Sequence, residues 1–203
     1  LDDGHPKLAE SYNLLGAVSS ADILLFVHDD IRFLSKGWDD KIRDAMRLGF
    51  NVVGAVGSKK YTGGMIFDSG KDYATGKMVG LVDGKRVVKL MENRSEIEPC
   101  IVVDGMLMAV DRSHFVNCGG FDSDFDGMFY YDMDICLRSK CCTADFLVAH
   151  EKPAHLRGVY PENMRPMEAY TAAFNKKHGF NCSQHIGDQR CTTMEYSDYV
   201  KER

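Results

Sequence analysis

The sequence lacks any apolar stretch long enough to cross a membrane. A membrane helix needs about 20 consecutive apolar residues, whereas the longest apolar runs here, Ile23–Val27 and Met106–Val110, have the length of a strand. The chain also lacks an excess of positive charge, because 25 Lys and Arg stand against 30 Asp and Glu, a net charge of −5. A positive field is what draws proteins to nucleic acid or to anionic lipid. We therefore expect neither of these as a partner.

A complete set of disulfides is excluded, because seven cysteines are an odd number and Cys141 and Cys142 are adjacent. This cysteine usage favours a reducing compartment, so we expect a cytoplasmic protein. No two cysteines have the two-residue spacing typical of structural zinc sites. Near the carboxyl end, Cys182, His185 and Cys191 could bind a metal ion, but scattered thiols are the better interpretation.

Helical and strand patterns alternate in the first quarter of the chain. Apolar side chains recur at helical spacing over residues 7–20, and again from Trp38 to a predicted stop at Gly49. Residues 23–27 and 51–56 are continuous apolar runs, which are typical of strands covered on both faces. A strand, a helix and a strand in this order predict a βαβ unit with parallel strands.

The rest of the chain adds a hairpin and further helices. Asp83-Gly84 is a typical two-residue turn between predicted strands over residues 77–82 and 85–91. The remaining predicted elements are a strand over 100–110 interrupted by Asp104-Gly105, helices over 111–118 and 131–142, a strand over 144–149 and a helix from Met167 to Gly179.

These patterns predict an α/β fold with a mixed, mainly parallel sheet flanked by helices, and a small β-hairpin beside it. The 203 residues are enough for one domain with a substantial core. We expect that core to span residues 1–158, and residues 159–203 to form a carboxyl-terminal helix and tail packed on it.

Three polar residues, His28, Asp29 and Asp30, directly follow the apolar run over residues 23–27. Open α/β sheets bind ligands beyond the carboxyl ends of their strands. Carboxylate oxygens suit a hard cation such as Mg²⁺ or Mn²⁺, which can bridge to a diphosphate and neutralise charge on a leaving nucleotide. The alternative is a solvated pair of carboxylates, with Asp30 capping the next turn.

A second acidic segment begins at Asp122. Its first residues match positions 1, 3, 5 and 6 of an EF-hand calcium loop: Asp122, Asp124, Asp126 and Gly127. Met133 stands where that loop needs a bidentate glutamate, so a complete calcium loop is disfavoured, although part of the loop could still chelate an ion.

Asp132 and Asp134 lie near the start of a predicted helix, where residues two apart do not share a face. They should therefore have different roles: Asp132 could project into a cleft as a base, while Asp134 caps or orients the helix. The simpler alternative is that both carboxylates complement the dipole at the helix N-terminus. His150 and His155 follow the last predicted strand, and a histidine near two carboxylates could complete a metal shell.

In this order, the motifs resemble those of the GT-A glycosyltransferases. Within that fold they resemble the family-2-like group that carries His-Asp-Asp in place of Asp-x-Asp. The resemblance covers about residues 8–158 and is carried by Asp22–Asp30, Gly37-Trp38, Val52–Gly57, Val103–Val110, Gly120–Asp122, Tyr131–Arg138 and His155–Gly158. It implies a GT-A-like, Rossmann-like fold.

The resemblance also implies an activity. A metal-dependent glycosyltransferase would move a sugar from a nucleoside-diphosphate sugar to a hydroxyl of a glycan or another acceptor, with Mn²⁺ or Mg²⁺ as cofactor. Asp132 would be the general base, and the sugar carbon would be inverted. Asp30, with Asp29, would hold the metal, and His155 would be a further ligand. The implied substrate-binding residues are Asp104 and Gly105 in the donor-sugar pocket, Asp122 in the acceptor loop, and Asp134.

Two features depart from the family pattern. Tyr131 stands where these enzymes usually carry a glutamate before the base, which changes the surroundings of Asp132. The usual first strand and loop, which bind the nucleotide base, have no counterpart before the first predicted helix, so we expect a fragment or a domain with altered donor binding. The alternatives are a noncatalytic or truncated domain that binds glycans or a partner, a calcium-binding module and, more remotely, a nucleotidyltransferase.

Overall fold

A computed structural model of the chain describes residues 8–61, 73–82, 85–90, 95–125, 129–150, 167–179 and 192–195. The helices in these ranges are α1 (Leu8–Val18), α2 (Trp38–Arg47), α3 (Arg112–Asn117), α4 (Tyr131–Leu137) and α5 (Met167–His178). The strands are β1 (Ile23–Val27), β2 (Ile31–Phe33), β3 (Val52–Gly54), β4 (Val56–Ser58), β5 (Ala74–Val82), β6 (Lys85–Leu90), β7 (Ile97–Cys100), β8 (Val102–Val103), β9 (Leu107–Asp111), β10 (Cys141–Ala144), β11 (Val148–His150) and β12 (Thr192–Glu195). None of the described helices combines the length and the apolar character of a membrane span.

Several residues named in the sequence analysis lie outside the described ranges. They are the hairpin turn Asp83-Gly84, the calcium-loop candidates Asp126 and Gly127, the metal-ligand candidate His155, and the tail residues Cys182, His185 and Cys191.

The central sheet has the strand order β1-β9-β3-β10-β7. Strand β9 pairs antiparallel with both β1 and β3, and β10 pairs parallel with β3. Strands β1 and β3 therefore run in the same direction, as a βαβ unit requires, but β9 separates them. Every residue of β3, and all of β9 except Asp111, is buried, which is why these segments are so uniformly apolar.

The second sheet has the order β12-β6-β5-β11-β2, and β4 also pairs with β5. The antiparallel register of β5 and β6 brings Val82 opposite Lys85, so the predicted pair of hairpin strands is confirmed. Strand β11 pairs antiparallel with β2 and places His150 opposite Ile31. This register brings the end of β11 next to the residues that follow β1.

The prediction of a mainly parallel sheet is wrong, and the sheets are mixed. Among the described strands, only the β3–β10 and β5–β11 pairs are parallel, and the other pairs are antiparallel. A continuous apolar run indicates only that both faces of a strand are covered. Strand β9 meets that condition while running against its neighbours, so its sequence does not reveal its direction.

The helix boundaries are only partly as predicted. The amide of Gly49 donates to Met46 O at 2.9 Å, and its φ of +90° is one that favours glycine, so the predicted stop is confirmed. The helix predicted over 131–142 is too long, because α4 ends at Leu137 and Cys141 already begins β10.

Aromatic side chains fix the helices to one face of the central sheet. The ring of Phe26 on β1 lies 4.9 Å from Tyr12 of α1, 5.3 Å from Phe115 of α3 and 5.0 Å from Phe121. Phe121 lies 5.4 Å from Tyr131, the first residue of α4. Burial of each such side chain contributes about 2–3 kcal/mol, so this cluster anchors the start of α4 firmly over the sheet.

A buried carboxylate joins α4 to α5. Asp134 has no exposed surface, and its oxygens lie 2.7 Å from Arg138 Nη2, 2.6 Å from Lys177 Nζ and 2.8 Å from His178 Nε2. Lys177 also contacts the carboxylate of Asp122. We call these five residues the Asp134 cluster. A buried carboxylate needs such partners, because its desolvation is otherwise costly.

We expect Asp134→Asn to destabilise the protein by about 3 kcal/mol or more, since it removes the charge that these basic side chains share. Urea denaturation at pH 7 measures the change. The matched control is Asp124→Asn at an exposed position, for which we expect a change within about 0.5 kcal/mol. Equal stabilities of the two variants would contradict a stabilising role for the Asp134 cluster.

Candidate active site

Two motifs far apart in the sequence meet at one edge of the central sheet. Val27, the last residue of β1, pairs with Leu107, the first residue of β9. One residue further on, the amide of His28 donates to Met106 O at 3.0 Å. The His28–Asp30 segment therefore lies beside the turn over residues 104–106, which connects β8 to β9.

The same turn contacts the start of α4. The amide of Gly105 donates to Asp132 Oδ2 at 2.8 Å, and the hydroxyl of Tyr131 donates to Gly105 O at 3.2 Å. A Cβ atom at position 105 would collide with the Tyr131 hydroxyl and come within 3.1 Å of Asp132 Cβ. Glycine is required here because the turn and the helix approach so closely.

The surroundings of Asp132 make its carboxylate unusually basic. Burial raises the pKa of Asp132 to about 7, and the neighbouring Asp104 also raises it. Amide donors partly offset this effect, since Oδ1 accepts a hydrogen bond from Met133 N at 2.8 Å. The residue as a whole keeps some exposed surface. A carboxylate with a pKa near neutrality is suited to general base catalysis.

Two neighbouring tyrosines lie between Asp132 and Asp29, with Tyr131 near Asp132 and Tyr12 near Asp29. The rings of Tyr131 and Tyr12 lie 6.2 Å apart. Burial raises the pKa of Tyr131 well above 10, and the charge of Asp132 adds to the effect. Burial likewise raises the pKa of Tyr12, with a further contribution from exposed Asp29. Both phenols therefore stay neutral near pH 7.

Beside the same turn, which His28 contacts through its backbone, His28, Asp30 and His150 form a possible metal site. The ring centroids of the two histidines lie 5.8 Å apart, and His150 Nε2 lies 3.0 Å from Asp30 Oδ2. One ligand atom from each of the three residues lies within 4.8 Å of the others. Two imidazoles and one carboxylate, all part-buried, are a donor set that suits a divalent transition metal. The residues present therefore fit the metal that the resemblance implies.

The composition of this group differs from the expected ligand set. Asp30 belongs to it, whereas Asp29 is exposed and lies near Tyr12. The expected further ligand, His155, lies outside the described residues, and His150 stands beside Asp30 instead. The sequence showed a histidine at the end of a strand, but the pairing of β11 with β2, which brings it to Asp30, was not readable from the pattern.

The remaining predicted site residues lie in the Asp134 cluster. Asp122 is part-buried, and its Oδ1 accepts a hydrogen bond from Asp124 N at 2.8 Å. Although burial acts to raise it, the pKa of Asp122 is lowered by the hydrogen bond and charge of Lys177. A lysine so close to Asp122 disfavours a calcium ion there. Sequence reasoning did not identify Lys177 as a partner, because it lies on a helix distant along the chain.

Comparisons with known proteins identify a family to which the sequence is similar. No curated protein matches the sequence. Among solved structures, the crystal structure of A197 from STIV is similar with a TM-score of 0.40 and 12% identity, over 66% of this chain and 59% of the A197 chain. Residues 3–177 match a family described as a glycosyltransferase-like family. Since this match spans most of the sequence, the protein belongs to that glycosyltransferase-like family.

Proposed function

We propose that the protein is a metal-dependent glycosyltransferase that moves a sugar from a nucleoside-diphosphate sugar to an acceptor hydroxyl, with Asp132 as the general base. Membership of the family supports the transferase class. One observation carries the finer assignment: Asp132 contacts Gly105, while the backbone of His28, from the possible metal site, contacts Met106 of the same turn. A base and a cation are what transfer from a diphosphate donor requires.

The possible metal site would hold the donor. Asp30, His28 and His150 would bind a divalent cation such as Mn²⁺ or Mg²⁺, which when bound neutralises charge on the departing diphosphate. Asp104 and Gly105 would line the donor-sugar pocket between this site and Asp132. The amide of Met106 donates to Asp104 Oδ1 at 2.9 Å, which holds that side chain in a fixed orientation.

Asp132 would accept the proton of the acceptor hydroxyl. Each oxygen of its carboxylate accepts one hydrogen bond from a backbone amide, Oδ2 from Gly105 and Oδ1 from Met133. A carboxylate oxygen can accept a further hydrogen bond, which leaves capacity for the acceptor hydroxyl. The acceptor oxygen would attack the sugar carbon opposite the leaving diphosphate, so the configuration at that carbon would invert. A positioned base contributes typically 10²–10⁴-fold to the rate.

The acceptor would approach from the side of the Asp122 loop. Asp122 keeps some exposed surface, so direct contact with an acceptor is open to it. Asp134 has none, and its effect on substrate binding would be indirect, through the Asp134 cluster. We place this activity in the cytoplasm, as the cysteine content indicates.

Metal binding tests the donor side. We expect Asp30→Asn and His150→Asn to weaken Mn²⁺ binding at least tenfold, because each removes one of three ligand groups. Isothermal titration calorimetry on the whole chain measures this without a substrate. Asp29→Asn is the matched control and should bind Mn²⁺ within twofold of the parent. Loss of binding in Asp29→Asn with normal binding in His150→Asn would reverse the assignment.

Turnover tests the base. With Mn²⁺ and a panel of nucleotide sugars, Asp132→Asn should lower kcat by about 10²–10⁴-fold, while Asp44→Asn, at an exposed position on α2, keeps the parent rate. The parent rate should rise with pH up to about pH 7, because Asp132 must be ionised to accept a proton. Near-normal turnover in Asp132→Asn would eliminate Asp132 as the base. Donor binding without any turnover in the parent would favour the noncatalytic alternative.

The raised pKa of Asp132 also predicts a pH-dependent stability. Between about pH 4 and pH 7 the folded chain holds a proton at Asp132 that the unfolded chain has lost, so this residue makes folding less favourable as the pH rises. Relative to the parent, Asp132→Asn should therefore gain about 2 kcal/mol of unfolding free energy between pH 5 and pH 8. Urea denaturation at both pH values measures the difference. A pH-independent difference would show that Asp132 titrates normally.

A further inference from the structure

Three cysteines line a cavity at the far end of α4 from Asp132. The cavity has a volume of about 350 Å³, and Cys100 of β7, Cys136 of α4 and Cys141 of β10 are among the residues around it. All five cysteines in the described part of the chain are free thiols. Neither the proposed metal site nor the proposed base uses this cavity, so its thiols need a separate explanation.

Strand register places two of these cysteines at the right separation for a disulfide. Cys100 and Cys141 lie directly opposite each other in the antiparallel pair of β7 and β10. Further along the same ladder, Asp145 N donates to Glu96 O at 2.7 Å. Hydrogen-bonded pairs alternate along such a ladder, so the Cys100–Cys141 pair is also of this kind, with Cα atoms about 5.5 Å apart. That value lies within the usual range for disulfides.

Both side chains point to the same side, because directly opposite residues share one face of a sheet. Both residues also line the cavity. Cys136 is the competing partner, and the thiol of Cys141 already donates to Cys136 O at 3.4 Å. The Cys141 thiol also hydrogen-bonds the side chain of Cys136, whose sulfur accepts a further hydrogen bond from Val103 N at 3.4 Å. Cys136 is therefore a neighbour of Cys141 as well, while Cys100 is the residue that faces Cys141 across the β7–β10 pair.

Access differs between the two opposite thiols. Cys100 is half-buried, whereas Cys141 is only 3% exposed. Cys100 is thus the more exposed of the two residues, although its sulfur packs beside the buried Gly57, so we assign the first attack on an oxidant to Cys100 and the resolving step to Cys141.

We propose that Cys100 and Cys141 form a redox modification site that a peroxide converts to a disulfide. The sulfur of Cys100 attacks one oxygen of hydrogen peroxide, the O–O bond breaks, and a sulfenic acid and water result. The sulfur of Cys141 then attacks the Cys100 sulfur and displaces its hydroxyl, which leaves as a second water. In total, two thiols give up two electrons and two protons to the peroxide.

The new bond encloses the candidate active-site segment. The chain between Cys100 and Cys141 contains Asp104, Gly105 and Asp132, so oxidation joins the two strands that flank this segment. A disulfide that closes a loop of this length restricts the unfolded chain and stabilises the fold. In a reducing compartment the bond is transient, and it responds to oxidising conditions.

The reaction is slow at neutral pH and accelerates as the pH rises. Burial raises the pKa of Cys100, and the nearby Cys136, Cys142 and Glu98 add to this effect, while Thr75 opposes it. Since the thiolate is the nucleophile, the oxidation rate rises about tenfold per pH unit below that pKa.

Peptide mapping of the whole chain tests the proposal and needs no sugar donor. After treatment with hydrogen peroxide at pH 8, remaining thiols are alkylated, and the chain is digested without reduction. We expect a cross-linked peptide that contains Cys100 and Cys141, reversal by dithiothreitol, and a Tm about 5–10 °C higher in the oxidised form. Its formation is independent of the proposed function, so failure of either leaves the other standing.

Variants identify the pair. The cross-link should be absent from Cys100→Ser and Cys141→Ala. It should be present in Cys118→Ser, the matched control, whose thiol directly follows α3 and donates to Phe115 O. The peptide map of the unaltered chain decides the question even if the buried Cys141→Ala fails to fold. A Cys136–Cys141 cross-link, a cross-link to another cysteine, or thiols left unchanged by the peroxide would each overturn the proposal.

Discussion

One hydrogen bond, from the backbone amide of Gly105 to the side-chain carboxylate of Asp132, joins the turn that precedes β9 to the helix that carries the candidate base. It forms because Gly105 has no side chain to separate the turn from Tyr131. The next residue of the turn, Met106, accepts a hydrogen bond from the amide of His28. The backbone of His28, from the possible metal site, and the carboxylate of the candidate base thus contact neighbouring residues of one short turn.

Tyr131, which departs from the pattern of the resemblance, has a structural role beside the candidate base. Its ring lies 5.4 Å from that of Phe121, and its hydroxyl donates a hydrogen bond to Gly105 O, so Tyr131 fixes the start of α4. A glutamate at this position would place another negative charge near Asp132 and Asp104. With a neutral tyrosine there, burial and Asp104 are the main causes that raise the pKa of Asp132. The same raised pKa makes folding less favourable near neutral pH.

Much of the local structure could be predicted from the sequence, because it depends on nearby residues. The strands around the hairpin and the stop of α2 at Gly49 follow from turn and capping chemistry. The placement of Asp29 and Asp30 after a strand is equally local. What the two carboxylates contact could not be predicted, since Asp30 meets His150 only through the pairing of β2 with β11.

Long-range pairing also explains the errors. The direction of β9 depends on its neighbours, and an apolar segment covered on both faces has the same sequence pattern in either direction. No glycine or proline marks the end of α4 at Leu137. The helix ends there because the following segment forms β10, in which Cys141 pairs with Val52 and Cys100. The substrate-binding role of Asp134 stays a prediction. Its partners Lys177 and His178 could not be predicted, because they come from α5, whose position over α4 depends on tertiary packing.

Anomalous diffraction from crystals soaked with Mn²⁺ and a nucleoside diphosphate tests the central claim most directly. The account predicts a manganese peak among the side chains of His28, Asp30 and His150, with the diphosphate extending from it towards Asp132 across the turn over residues 104–106. A manganese peak elsewhere with no ion at Asp30, or a diphosphate bound away from that turn, would contradict it.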